Sequence, residues 1–212
     1  MEGRPRQNRV TPTGDIVAIP LRGAWMGNRG ILHDEVSGPR GEVVRRHAGA
    51  LWITCTLSFR GWRAAQWAPH HYTVLFFHDE AVALAAGHRP CALCRRAAYD
   101  AYRAALAAAD GAEPLRANEI DRRLHTERLV PRSREKRLHR GAWADVPDGA
   151  FAIDDGKPVL VRGSLVVPWT VAGYGPPRRR PRWGAAVLLT PPTTLAVLRE
   201  GYVPQVDPSA LA

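Results

Sequence analysis

The segment from residue 72 to residue 111 constrains the fold most, because it predicts a strand, two helices and a tight turn in direct succession. YTVLFF is rich in β-branched and aromatic residues and predicts a strand. Asp79 is placed to cap the alanine-rich helix EAVALAA, and Gly87 is placed to end it. Beyond HRPC, where Pro90 disfavours helix at the preceding residue, we expect a longer helix over residues 94–109.

A second strand is predicted over residues 51–59, LWITCTLSF, because apolar and polar side chains alternate along it. Cys55 falls on its apolar face. We expect this strand to pair in antiparallel fashion with the strand over residues 72–77. Upstream, residues 15–21 predict a short strand, and the glycine-rich residues 23–35 predict a loop.

The predicted helices carry distinct apolar stripes. Tyr99, Tyr102 and Leu106 are spaced three and four residues apart and predict the buried face of the longer helix. Asn118 is placed to cap a third helix further along the chain.

The last third of the chain is typical of β structure. FAIDDGKPVLVRGSLVVPW predicts three short strands, with tight turns at Asp155-Gly156 and Arg162-Gly163. AAVLLT predicts another strand, and PPTTLAVLRE predicts a helix with its prolines in the first turn.

The predicted fold class is therefore α+β: antiparallel strands and helices around a Cys-x-x-Cys turn, followed by a small β-rich C-terminal part. Residues 1–14 are polar and rich in proline and glycine, which predicts a flexible arm. Residues 15–140 and residues 141–212 then form two regions. These regions can be separate domains or can share one core.

Composition narrows the class of protein. An apolar fraction of 45% in 212 residues is typical of a globular chain. Apolar runs are too short to span a bilayer, which takes about 20 residues, so we expect no membrane partner. Three cysteines are an odd number and do not make a disulfide framework, so a reducing cytoplasm is the expected location.

The charge suggests an anionic partner. The net charge is +10, and all but two of the 30 basic residues are arginines. This excess favours DNA or RNA as a partner, because guanidinium groups match phosphate geometry. The bias can also follow from a GC-rich genome, with a basic surface that binds nothing. The side chains expected to contact phosphates are Arg89, Arg95, Arg96, Arg178, Arg179, Arg180 and Arg182.

Cys91 and Cys94 stand between a turn and a helix start, where both sulfurs can point at one ion. The surrounding EAVALAAGHRPCALCRR resembles the zinc-binding N-terminal domain of the Ada DNA-repair methyltransferase, over residues 72–97. The shared features are a strand ending in aromatic residues, an alanine-rich helix, and glycine, Arg-Pro and both cysteines in register.

The resemblance implies a four-cysteine zinc site on structure that contacts DNA, in which an upstream ligand thiolate accepts a methyl group from a phosphotriester. Cys91 and Cys94 have counterparts in that family, whereas its upstream Cys-x-x-x-Cys pair is absent here. Two further ligands are needed for zinc. We take Cys55 and His33 as the metal ligands besides Cys91 and Cys94. Further histidines that remain open as ligands are His70, His71, His78 and His88.

Three functions remain open. The first is a zinc-binding protein that contacts nucleic acid through an arginine-rich surface. The second is a nucleic-acid repair or modifying enzyme, using a zinc-bound thiolate or acid–base chemistry at His33, Asp34 and Glu35. The third is a structural or protein-interaction module, in which the cysteine pair is a packed turn without metal.

Overall fold

The computed structural model describes residues 5–34, 42–133 and 135–211. Among these residues the helices are α1 (Glu80–Ala85), α2 (Arg96–Asp110), α3 (Ala117–Arg128) and α4 (Pro192–Arg199). The strands are β1 (Gln7–Val10), β2 (Ile16–Ala18), β3 (Trp25–Asn28), β4 (Ile53–Cys55), β5 (Leu75–Phe77), β6 (Arg89–Pro90), β7 (His139–Ala142), β8 (Phe151–Asp154), β9 (Lys157–Arg162), β10 (Leu165–Thr170), β11 (Gly173–Tyr174), β12 (Arg178–Arg179) and β13 (Ala185–Leu188). Helices and two mostly antiparallel sheets make this an α+β protein, as predicted.

The first sheet has the strand order β2-β1-β5-β3-β4-β6. Parallel pairing joins β1 to β5 and β4 to β6, and the other neighbours are antiparallel. The prediction that the strands containing β4 and β5 pair directly is wrong, because β3 lies between them. β3 comes from the glycine-rich segment that was expected to be a loop. Gly27 permits this insertion, since a Cβ there would lie 2.1 Å from the carbonyl oxygen of Ile53.

The N-terminal residues also differ from expectation. Within the predicted flexible arm, β1 pairs with both β2 and β5. The reason is apolar burial: Val10 packs against Leu75 and Phe77 in the cluster beneath the sheet. Residues 1–4 of the arm lie outside the described residues, as does Glu35.

The second sheet has the order β11-β10-β9-β8-β13-β7, with β12 added beside β10. The predicted hairpins are confirmed: β8 turns into β9 at Asp155-Gly156, and β9 into β10 at Gly163. These turn residues have positive φ angles of 51°, 70° and 54°, as tight hairpins require. The predicted C-terminal strand and helix are also present, as β13 and α4.

The helices follow their sequence signals closely. The Asp79 carboxylate accepts a hydrogen bond of 2.8 Å from the Val82 N–H and so caps α1. Tyr99, Tyr102 and Leu106 form the buried face of α2, as predicted. The predicted cap of α3 at Asn118 is wrong: the cap is Arg116, two residues earlier, because its N–H donates to the Glu119 carboxylate at 2.6 Å in a capping box.

The core does not divide at residue 140. One apolar cluster combines Tyr102 and Leu124 from the helices with Val159, Val166 and Leu195 from the C-terminal part. No helix in the described part of the chain is both long and apolar enough to cross a membrane.

Gly111 gives a first testable prediction. It ends α2 with φ 59°, and its N–H donates to the carbonyls of Ala107 and Ala108. Nothing lies within 4 Å of a Cβ placed there, so the effect of a side chain is conformational. We expect Gly111→Ala to lower the free energy of unfolding by about 1 kcal/mol, because alanine disfavours positive φ. Urea unfolding measures this, and Gly111→Asn is the control, since asparagine tolerates this conformation better.

Candidate metal centre

Three cysteines come together at one edge of the first sheet. Cys55 ends β4, and Cys91 directly follows β6, the parallel neighbour of β4. The Cys91 N–H donates a 2.9 Å hydrogen bond to the carbonyl of Thr54, which continues the strand pairing up to the cysteine. Cys94 lies one turn later, just before α2. The sulfurs of all three lie within 4.8 Å of one another.

The turn from Cys91 to Cys94 directs a backbone N–H group at a cysteine sulfur. The Leu93 N–H donates to the Cys91 sulfur at 3.4 Å, and the Arg95 N–H donates to the Cys91 carbonyl at 3.2 Å. N–H groups pointing at sulfur stabilise the thiolate, which is the form that binds metals. The local geometry therefore suits two thiolates that face the strand carrying Cys55.

The pKa values of the three thiols are shifted in opposite directions by their mutual hydrogen bonds. Hydrogen bonds from Cys55 lower the pKa of Cys91 to about 5 and that of Cys94 to about 7. Hydrogen bonds to the same two partners, together with burial, raise the pKa of Cys55. The thiolate form is thus favoured most at Cys91, and a metal ion entering the cluster would displace the protons that the thiols still hold.

A pocket of about 200 Å³ opens beside the sulfurs. Its walls are mainly apolar and include Met26, Leu57, Phe59, Trp62 and Tyr72. Trp62 and Leu93 stand at its outer part, with 57% and 69% of their surfaces exposed. The pocket walls were not predicted as site residues. The available signal was the apolar and aromatic character of LSFRGW, which follows the strand containing Cys55.

His33 lies apart from the three cysteines. Its Nδ1 is hydrogen-bonded to Thr73 Oγ1 at 2.7 Å, and its ring packs edge-on against Trp67. Tyr72 and Val74, on either side of Thr73, pack with the cysteines instead. Alternate residues of this segment thus serve opposite faces, and His33 belongs to the face away from the sulfurs.

The other histidines that were open as ligands are also outside the cysteine cluster. The buried His88 accepts a hydrogen bond from Arg29 Nε at 3.2 Å and packs on Phe77. Burial lowers the pKa of His88 well below its usual value. His78 accepts from the Trp169 indole at 3.3 Å. His70 and His71 are exposed, in the loop between β4 and β5.

Two arginines expected to face phosphates are inside the protein. Arg89 is 2% exposed and donates two hydrogen bonds, of 2.8 and 2.7 Å, to the Asp121 carboxylate. Arg95 is 8% exposed, forms a 2.7 Å ion pair with Glu80 and stacks on Trp25. Their charges are matched internally, so both hold the cysteine turn in place instead of reaching outward.

The remaining arginines of that prediction are at the surface. Arg96 pairs with Asp100 one turn along α2, and Arg178 pairs with Asp154. Arg179, Arg180 and Arg182 line a cleft of about 580 Å³ between β10 and the chain that follows β12. Trp183 is 86% exposed at the end of this arginine segment.

Comparison with protein-family models, curated proteins and solved structures gives no match to this chain. The centre is therefore defined by its own geometry: three cysteine sulfurs close enough to hold a metal ion, beside an apolar pocket.

Proposed function

We propose that the protein binds zinc through Cys55, Cys91 and Cys94. The observation that carries the proposal is the clustering of all three sulfurs within 4.8 Å. Zinc–sulfur bonds of about 2.3 Å in a tetrahedron place neighbouring sulfurs about 3.8 Å apart. Small side-chain movements bring the cluster to that spacing. Thiolates also favour zinc and other soft ions over magnesium or calcium.

The described part of the chain supplies three zinc ligands and no fourth. Cys55, Cys91 and Cys94 form a group that no described histidine, aspartate or glutamate joins. The apolar pocket reaches all three sulfurs, so a water molecule or another small ligand can approach the metal from that side. Three protein ligands with one accessible position are typical of reactive zinc sites, whereas structural sites are closed.

Metal analysis of the purified protein tests the zinc proposal. Protein prepared without chelators should contain about one zinc per chain, and release of that zinc should accompany modification of three thiols. His33→Ala is the matched control, because His33 lies on the opposite face, and it should keep its zinc. Absence of metal, or a different ion at full occupancy, would overturn the proposal.

A second candidate function is contact with nucleic acid through the arginine cleft. Its support is the grouping of Arg179, Arg180 and Arg182 around one cleft, with Trp183 almost fully exposed beside them. Guanidinium groups bind phosphates and exposed aromatic rings stack on bases, so this combination suits a single strand.

Salt dependence tests this second candidate. We expect binding of a single-stranded oligonucleotide to weaken steeply as the salt concentration rises. The double variant Arg179→Gln/Arg182→Gln should reduce the slope of log affinity against log salt concentration by about 1 to 2, which corresponds to the loss of one or two phosphate contacts. Arg122→Gln/Lys157→Gln removes two exposed charges outside the cleft and is the control. Equal slopes for the two double variants, or binding that ignores salt, would rule out the cleft as the contact surface.

A further inference from the structure

Three cationic side chains converge beneath the turn between β1 and β2. Arg29 follows β3, Arg128 ends α3, and Lys136 lies in the segment after α3. Arg29 Nη1 donates to the Gly14 carbonyl at 2.9 Å. A Cβ placed on Gly14 would lie 3.8 Å from both Arg29 Nη2 and the Lys136 side chain, so the turn closes directly over these cations.

Backbone carbonyls at the end of α1 hold the other two cations. Lys136 Nζ donates to the Ala85 carbonyl, and Arg128 Nη1 donates to that of Gly87 at 2.8 Å. The guanidinium carbons of Arg29 and Arg128 also lie 4.0 and 3.9 Å from a Trp52 ring centroid. Backbone dipoles and an aromatic face fix the positions of the cations but leave their net charge unbalanced.

Two carboxylates lie near this cluster, and each is shared among several cations: Asp15 acts on Arg29 and Lys136 as well as on Arg46. Asp15 is half exposed and forms a 3.3 Å ion pair with Arg46, a fourth cation at the edge of the cluster. Asp121, which also acts on Arg128, accepts both hydrogen bonds of Arg89. Burial, together with the neighbouring cations, lowers the pKa of Lys136 to about 7 and that of Arg128 to about 8. The cluster is thus short of negative charge.

Two donors in the cluster have no acceptor in the described part of the chain. Arg29 is 2% exposed, and its Nη2 has no hydrogen-bond partner among the described residues. Arg128 is 1% exposed, and its Nε likewise has no acceptor in the described part of the chain. A buried donor without an acceptor destabilises a protein, and more so when it is charged. Two such donors beside a third cation indicate a place for an anion.

A small opening lies beside the side chains that carry these donors. It is lined by Thr13, Gly14 and Arg46 as well as by the three cations, and its volume of about 10 Å³ suits one oxygen atom. Arg46 also lines a neighbouring polar cleft of about 250 Å³. We propose that this opening binds an oxygen of a phosphate group carried by a small molecule, whose remaining atoms lie in the neighbouring cleft. The site shares no lining residue with the metal centre's pocket.

Calorimetric titration with inorganic phosphate at constant ionic strength tests the proposal. We expect saturable binding of one phosphate per chain, accompanied by a rise in Tm that the same ionic strength of sodium chloride does not produce. A nucleoside monophosphate should compete with phosphate. Phosphate that binds no better than chloride would overturn the proposal, and so would displacement of phosphate only by an oligonucleotide.

Two variants locate the binding. Lys136→Met keeps the length of the side chain and should weaken phosphate binding at least tenfold, whereas Lys157→Met, at an exposed site on β9, should leave it unchanged. Arg46→Gln alters the rim of the opening and should also weaken phosphate binding. It provides the test if Lys136→Met does not fold. Unchanged phosphate affinity in a folded Lys136→Met or Arg46→Gln protein would contradict the assignment.

Discussion

We expect Cys91→Ser to remove the bound metal and to lower the free energy of unfolding of the metal-loaded protein by about 4 kcal/mol. That figure corresponds to loss of a ligand present at about 1,000 times its dissociation constant. A serine hydroxyl is a poor zinc ligand, and Cys55 and Cys94 alone leave two coordination positions without protein ligands. The shared core has many apolar contacts outside the centre, so the variant should still fold.

Urea unfolding with and without a chelator measures this effect. The chelator should shift the wild-type curve onto that of Cys91→Ser and should leave the variant's own curve unchanged. Cys55→Ser should behave in the same way, because its sulfur belongs to the same cluster. A Cys91→Ser protein that keeps its metal and unfolds with the wild type would show that Cys91 is not a ligand.

The second large effect concerns the buried Arg89–Asp121 pair. We expect Arg89→Met to lower the free energy of unfolding by about 3 to 5 kcal/mol, because it leaves a buried carboxylate without its partner. Both side chains are at most 5% exposed, so water cannot replace the lost hydrogen bonds. Arg89 also donates to the Pro90 carbonyl at 2.9 Å, and the variant should therefore loosen the turn that carries Cys91.

Arg96→Met is the matched control for Arg89→Met. Arg96 pairs with Asp100 at 2.9 Å, but both side chains are about half exposed or more, and such pairs contribute about 0.5 kcal/mol or less. The double variant Arg89→Met/Asp121→Leu should recover part of the loss, because it removes both buried charges together. If Arg89→Met and Arg96→Met unfold at the same urea concentration, Arg89 does not stabilise the turn as described.

Local signals predicted much of the fold. The cap at Asp79 and the turns at Asp155-Gly156 and Gly163 act within a few residues, so a single sequence carries them. The order of the first sheet depends instead on distant pairing. Nothing near Gly27 indicates that its strand separates β4 from β5, since that arrangement depends on close approach to Ile53.

Local sequence signals likewise predicted only part of the metal centre. Cys91 and Cys94 are only three positions apart in the sequence, whereas Cys55 was predicted as a ligand together with His33. Only the parallel pairing of β4 with β6 brings Cys55 to them and leaves His33 on the other face. The burial of Arg89 has the same origin, because its partner Asp121 lies 32 residues away on α3.

X-ray absorption at the zinc edge distinguishes a three-cysteine zinc centre from other arrangements, because it counts the sulfurs bound to the metal in the intact protein. We expect three sulfurs at about 2.3 Å and one lighter ligand, nitrogen or oxygen, in the fourth position. In Cys55→Ser this three-sulfur signal should be lost. A zinc ion bound by two or fewer sulfurs in the wild-type protein would show that the three cysteines do not bind the metal together.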